Sequence, residues 1–207
     1  VVHTDTSVNV QVYINVTTLR IGLSIYSFCG IISLMKNIVG KGSPILREIA
    51  TGVPPDDIAS PRIRRVVSDM KAALAPHKDG VAIAAPQIGI PLRIFVVSGH
   101  IFNEEALLED DKSKSEEEDL VFINPEITKI SRDKKAVSEG CLSVRWVYGE
   151  VRRASKLTVT AYDEYGKKFT RGASGLLAQI FQHEIDHLNG ILFIDKAKRV
   201  QEIRPEK

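Results

Sequence analysis

Ser174 to Asn189 narrows what this chain can become more than any other stretch, because it reads as a helix that carries two histidines on its apolar side. Gly190 supplies the stop. Leu176, Ile180, His183 and His187 recur on one stripe, so both imidazoles are expected to face inward. Positions four apart lie one turn apart on the same face, which lets His183 and His187 grip one metal ion. Glu184 points about 100° away by helix geometry, yet a carboxylate there still reaches a water on the same ion. The plainer alternative is a surface helix with two solvated histidines. It is disfavoured by the apolar stripe, since a buried pair of imidazoles needs a partner.

Two histidines leave a tetrahedral site one ligand short, and a thiolate is the strongest remaining candidate. Cys141 sits in Glu139-Gly140-Cys141-Leu142-Ser143, where Gly140 is expected to allow an unusual backbone angle and close approach to an ion. Its alternative is a small buried hydrophobe. Cys29, the only other cysteine, lies in an apolar setting that fits this alternative better. Two distant cysteines make a disulfide framework improbable and a reducing compartment the better expectation. A third segment, Gly80 to Gly89, is dense in small residues, as expected where another backbone or a ligand comes close. Gln87 is its only side chain able to donate hydrogen bonds.

The remaining sequence places these segments in a fold. Residues 1–34 carry only Asp5 and Arg20 as formal charges, and Ile21 to Met35 is an uncharged, mostly apolar run of fifteen. That is short for a membrane span, and no basic cluster or clear cleavage site marks a signal peptide. We expect 1–34 to be a leader of unassigned role and 35–207 to be the functional domain. From Ser60 the pattern is helical, with a capping serine, Pro61 in the first turn, and Ile63, Val66, Val67, Met70 and Leu74 at three- and four-residue spacing. Short β-type runs cover Val81–Ala84, Arg93–Val97, Leu120–Ile123 and Leu157–Tyr162, the last forming a hairpin with Lys167–Thr170. Strands grouped around a central helix without βαβ alternation predict an α+β fold. Glu104 to Asp119 holds nine acidic residues and two lysines and is read as a solvated loop. Against a net charge of +2, it leaves the rest of the 207 residues at +9. The body is mildly basic, compatible with a nucleic-acid surface nearby.

Taken together, the Gly-rich segment ending in Gln87, the Glu-Gly-Cys-Leu-Ser segment and Gln182-His183-Glu184-Ile185-Asp186-His187 resemble the three signature motifs of the peptide deformylases, in the right order and spacing. Ser43-Pro44-Ile45-Leu46-Arg47 is similar to the Pro-x-Leu-Arg that opens the family's domain, so the resemblance runs from about Met35 onward. It implies antiparallel sheets around a central metal-binding helix. It further implies hydrolysis of the N-formyl group from N-formylmethionyl nascent polypeptides, releasing formate.

By this resemblance Cys141, His183 and His187 would hold one divalent metal, with water in the fourth position. Glu184 would take the water's proton and pass it to the departing amine. Gln87, through its side-chain amide, and Leu142, through its backbone N–H, would face the oxyanion. Iron is the family's usual metal, and Zn²⁺, Ni²⁺ or Co²⁺ suit the same ligands. Glu139 and Arg153 match an ion pair that steadies the cysteine segment. Asp186 is expected to accept an imidazole N–H behind the metal. Val81, Ala82, Glu139 and Gly140 would line the substrate pocket, with Ile83, Ala85, Ile180 and above all His183 and Glu184 as neighbours of the methionine side chain.

Two departures bear on substrate preference. Ala82 replaces the second glycine of Gly-x-Gly-x-Ala-Ala, and Arg145-Trp146 stands where the family often has proline after the cysteine motif. Two rival readings differ in class. A zincin-type peptidase would take its third ligand from further along the chain, whereas Cys141 lies upstream. A non-enzymatic binder of formylated ends is disfavoured because Gln87, Cys141, Glu184 and both histidines are all present. Lys196 to Arg204 is basic and is expected to be an exposed helix end, with contact to ribosomal RNA as a further expectation. No membrane is expected for residues 35–207, and the setting is bacterial cytoplasm or, in a eukaryote, an organelle.

Overall fold

The structure, a computed structural model, describes residues 37–77, 79–101 and 118–204. The expected leader 1–34, Cys29 and the acidic run 104–117 lie outside the described residues.

Helix α1 (Pro61–Leu74) begins as its sequence requires, with Ser60 Oγ accepting from the backbone N–H of Ile63 at 3.3 Å and Pro61 in the first turn. Its periodic residues Ile63, Val66, Val67, Met70 and Leu74 are all buried. Five strands form one antiparallel sheet in the order β1-β2-β3-β6-β7: β1 (Ala82–Ala84), β2 (Ile94–Val97), β3 (Leu120–Ile130), β6 (Lys156–Tyr162) and β7 (Lys168–Ser174). A second sheet has the order β4-β5-β8, with β4 (Lys134–Cys141), β5 (Val144–Ala154) and β8 (Lys198–Glu202).

Alternation along the first strands decides where the helices sit. Ile83, Ile94, Val96, Val121 and Ile123 pack with the apolar stripe of α1. Their neighbours Ala82, Ala84, Phe95, Val97 and Phe122 point the other way, onto helix α2 (Gly175–Leu188), where they meet Ala178, Phe181, Ile185 and Leu188. Phe95 and Phe122 stack with ring centroids 4.5 Å apart, and Phe181 meets Phe122 edge-on at 4.8 Å. Each of these rings is fully buried, worth about 1.5–3 kcal/mol apiece. The helix α2 also touches β5, so it lies in contact with both sheets. Its C-terminus turns at Gly190 (φ +72°), where a Cβ would come within 2.6 Å of the Arg47 carbonyl oxygen; only glycine fits.

The α+β architecture, both helices and the β6–β7 hairpin stand as the sequence predicts. Several strands do not. The strand β3 continues to Ile130, and β4 and β5 were not expected at all. The segment expected as an exposed helix end is instead strand β8, paired antiparallel to β5 through Val147–Glu202 and Tyr148–Gln201. Every residue of β8 is exposed, so no buried face left the period-two signature that would have revealed it. Among the described residues, no helix is long and apolar enough to cross a membrane.

Candidate active site

The interior of α2 brings its two histidines to the tip of the β4–β5 hairpin. That hairpin closes through Leu142 and Ser143, with Cys141 paired to Val144. Cys141 Sγ lies 3.3 Å from His187 Nε2, and the ligand atoms of Cys141, His183 and His187 all fall within 4.8 Å of one another. A thiol and two imidazoles converging at that distance fit a divalent cation, borderline-soft ones best.

What fixes these rings differs from the expectation. His183 Nδ1 is 3.0 Å from Glu139 Oε2, which turns its other nitrogen toward the thiol. Asp186 does not accept from an imidazole. It is buried and takes Arg153 Nη1 at 2.6 Å and Lys196 Nζ at 2.6 and 2.7 Å. Arg153 also donates twice to Glu139, through Nε at 2.7 Å and Nη2 at 2.9 Å. Asp186 follows the backbone to the back of the helix, where the cations are, and Glu139 occupies the place foreseen for it. Lys196 had no sequence signal of this role, being ten residues away beyond the helix stop.

Charges in this cluster are strongly coupled to burial. Burial pushes Glu139 up, but hydrogen bonds from Arg153 and His183 more than offset it and hold the carboxyl at about 2. His183 is pushed down by burial, while its hydrogen bonds with Cys141 and Glu139 carry it up to about 10. His187 is held well below its ordinary value, first by burial and then by the charges of His183 and Arg153. Glu184 is raised to about 7, chiefly by burial. Its Oε2 and His187 Nδ1 are the only buried side-chain nitrogen or oxygen atoms among the described residues without a hydrogen-bond partner. A buried carboxylate with a free oxygen and a value near neutrality is suited to exchange protons.

Gln87 is 2% exposed. Its Oε1 accepts from the Ala84 backbone N–H at 2.8 Å, which aims Nε2 at Ser143 Oγ (3.3 Å) and Cys141 Sγ (3.5 Å). The contact to Ser143 is long, so the amide is able to give it up for a ligand. Ser143, 4% exposed, is a partner that the sequence did not single out.

A cavity of about 370 Å³ opens from these residues to solvent. Val81, Ala82, Glu139, Gly140, Leu142 and Ile180 line it, with Gln87, Cys141, His183 and Glu184 at its floor. Ile83 and Ala85 do not. Both are fully buried in the core beneath α1, Ile83 on the opposite side of β1 from Ala82 and Ala84 and Ala85 in the 3-10 turn that follows the strand. Leu176, expected to face inward, is 45% exposed at the cavity mouth, so the buried stripe of α2 begins at its next turn. Gly140 does not adopt a left-handed backbone. Its need for glycine is steric, because a Cβ would stand 2.9 Å from the Tyr148 ring lying across it.

Comparison with known proteins points to a single family. Residues 35–202 match the family model described as polypeptide deformylase. The chain is 43% identical over 163 residues to a peptide deformylase of Carboxydothermus hydrogenoformans, covering 79% of this chain and 93% of that protein. It is 40% identical over 170 residues to peptide deformylase 1A, chloroplastic/mitochondrial, of Arabidopsis thaliana, covering 78% and 61%. Its fold is similar to the actinonin-bound class I type b peptide deformylase from Acinetobacter baumannii, with a TM-score of 0.68, 32% identity and coverage of 80% and 100%.

Proposed function

The chain belongs to the polypeptide deformylase family, and from that premise we propose how its own residues carry out the family's reaction. The enzyme is a metal-dependent hydrolase that removes the N-formyl group from N-formylmethionyl nascent polypeptides during protein biosynthesis and releases formate. The observation that carries the residue assignment is the unpartnered Glu184 oxygen at the floor of the cavity, beside the converging Cys141, His183 and His187.

Cys141, His183 and His187 would hold one divalent metal, which when bound supplies Lewis acidity and lowers the pKa of water. Glu139 orients His183 through Nδ1, and the paired Arg153 keeps Glu139 charged for that purpose. Glu184 accepts a proton from the attacking water and returns it to the amine as the C–N bond breaks; a carboxyl poised near 7 serves both directions. Gln87 Nε2 and the backbone N–H of Leu142 donate to the oxygen of the former carbonyl as it gains charge. Val81, Leu142, Val144 and Ile180 give the methionine side chain an apolar wall. The Ala82 methyl lies on the same wall, where it fills space that a glycine would leave open.

Ferrous iron is the metal we assign to the native enzyme. Beside a thiolate it makes the protein oxygen-sensitive, and iron-loaded enzyme is expected to lose activity in air while zinc- or nickel-loaded enzyme keeps it. The reaction belongs where formylated initiation occurs, in bacterial cytoplasm or an organelle, as the bacterial and plant relatives support. Ribosome contact through 196–204 draws less support, since Lys196, Arg199 and Arg204 are paired with Asp186, Glu150 and Glu202.

The test is formate release from formyl-Met-Ala-Ser by anaerobically purified, iron-loaded protein beside Glu184→Gln. Release that vanishes in the variant while metal remains bound supports the assignment. Undiminished release by the variant refutes the role of Glu184.

A further inference from the structure

The cavity has a buried floor and an exposed lip, and the lip carries chemistry that the hydrolytic step does not use. With the formyl group at the floor beside Glu184, the rest of a substrate peptide leaves past the lip, where Asp79, Arg145, Trp146, Tyr148 and Leu176 stand exposed. One side of this lip is a bow in β5. Between Glu139 and Cys141 of β4 lies one residue, Gly140; between their partners Gly149 and Val144 lie four, Arg145 to Tyr148. The bow puts Trp146 at φ +65°, a backbone conformation that bulky residues rarely adopt. It is held open from outside, because Ile203 donates its backbone N–H to the Trp146 carbonyl at 2.7 Å and β8 pairs with Val147 and Tyr148. Arg145 reaches His77, two residues before Asp79 of the lip, where Nη2 donates to His77 Nδ1 at 3.2 Å. No carboxylate among the described residues pairs with its guanidinium, whereas Arg153 on the same strand has two. Asp79, on the same lip, is exposed and makes no ion pair among the described residues.

Resting on the deformylase reading, we infer that Arg145 and Trp146 form a specificity element that favours substrates with an acidic side chain on the second residue after formylmethionine. A cation beside the exit path that makes no ion pair attracts a carboxylate and repels a lysine, with Asp79 across the lip opposing it in part, and the indole covers the neighbouring backbone. Because the lip is wet, the preference is modest and falls with salt.

The experiment compares formyl-Met-Ala-Glu-amide with formyl-Met-Ala-Lys-amide, the amide removing any terminal carboxylate. We expect kcat/KM to favour the Glu peptide about three- to tenfold at low ionic strength, through KM, and the ratio to shrink in high salt. Arg145→Gln brings the ratio to about one, Arg145→Lys keeps part of it, and Asp79→Asn widens it. Trp146 is the only tryptophan in the chain, so its fluorescence reports on the lip without turnover. Titration with the deformylated products Met-Ala-Glu-amide and Met-Ala-Lys-amide is expected to give tighter binding for Glu. Equal affinities, a flat response, or a preference for Lys overturns the proposal. Formate release from neither peptide, with the Glu product still bound more tightly, counts against the hydrolytic reading and not against the lip.

Discussion

Arg153 and Arg145 stand eight residues apart on one strand, and they obey opposite rules. Arg153 is buried and makes three charge-assisted hydrogen bonds to two carboxylates, Glu139 and Asp186, so every donor it aims inward is answered. Arg145 is exposed, and among the described residues its guanidinium hydrogen-bonds only to a histidine ring. The inner wall of the cavity is thus built for a single geometry, because an unanswered charge there costs several kcal/mol. The lip costs little to alter, which makes it the place where substrate preference can change without disturbing the chemistry.

The sharpest way to break this contrast begins at the floor. Glu184→Gln is expected to lower formate release by about 10²–10⁴-fold, with metal content by elemental analysis unchanged. Arg153→Leu takes two hydrogen bonds from Glu139 and one from Asp186, leaving them only His183 and Lys196, and is expected to destabilise the fold by about 3–5 kcal/mol, read as a drop of roughly 10 °C or more in Tm. It also changes the pH dependence of stability. Glu139, held at about 2 against 4.5 in the unfolded chain, contributes stability fully present above pH 4.5 and lost as pH falls toward 2. Melts of metal-free Arg153→Leu across pH 2–5 are expected to show a smaller acid loss than the parent, because the Arg153 share of that contribution is gone and only the His183 share is left.

Smaller effects are expected toward the lip. Gly140→Ala places a methyl 2.9 Å from Tyr148 Cε1, but that ring is half-exposed and free to swing outward. The variant is therefore expected to raise KM severalfold while lowering Tm by only a few degrees; a collapse of Tm would mean that the lip is as rigid as the floor. Trp146→Gly relieves the left-handed backbone, worth about 1–3 kcal/mol, against about 0.5–1 kcal/mol for glycine's freedom in the unfolded chain. Tm unchanged or raised by one to three degrees is the expected result. Arg47→Ala, which removes a surface pair with Asp195, is expected to cost under about 1 kcal/mol. Arg47 holds the Asp195 carboxyl below its usual range, so even that small contribution is present at neutral pH and fades in acid.

Local pattern alone predicted some features well, and the reason is visible in each. The stripe of α1, its serine cap and the β6–β7 turn are encoded within a few residues, as are the two histidines of α2 and the glycine that ends it. The nomination of Cys141 as partner for those histidines needed only ligand chemistry and the scarcity of cysteines, and the fold brings all three ligand atoms together. Tertiary structure decided what depends on neighbours distant in sequence. It gave Glu139, and not Asp186, the place behind His183, because the strand and the helix meet at an angle that no spacing along the chain reports. It made β8 a strand by offering it the edge of β5, although none of its residues is buried. It also sent Ile83 and Ala85 into the core while Ala82, the strand neighbour of Ile83, lines the cavity. Hydrophobic period and capping are short-range properties that a sequence states outright. Which charge answers which, and which edge strand finds a partner, are settled only when distant segments pack and exclude water from between them.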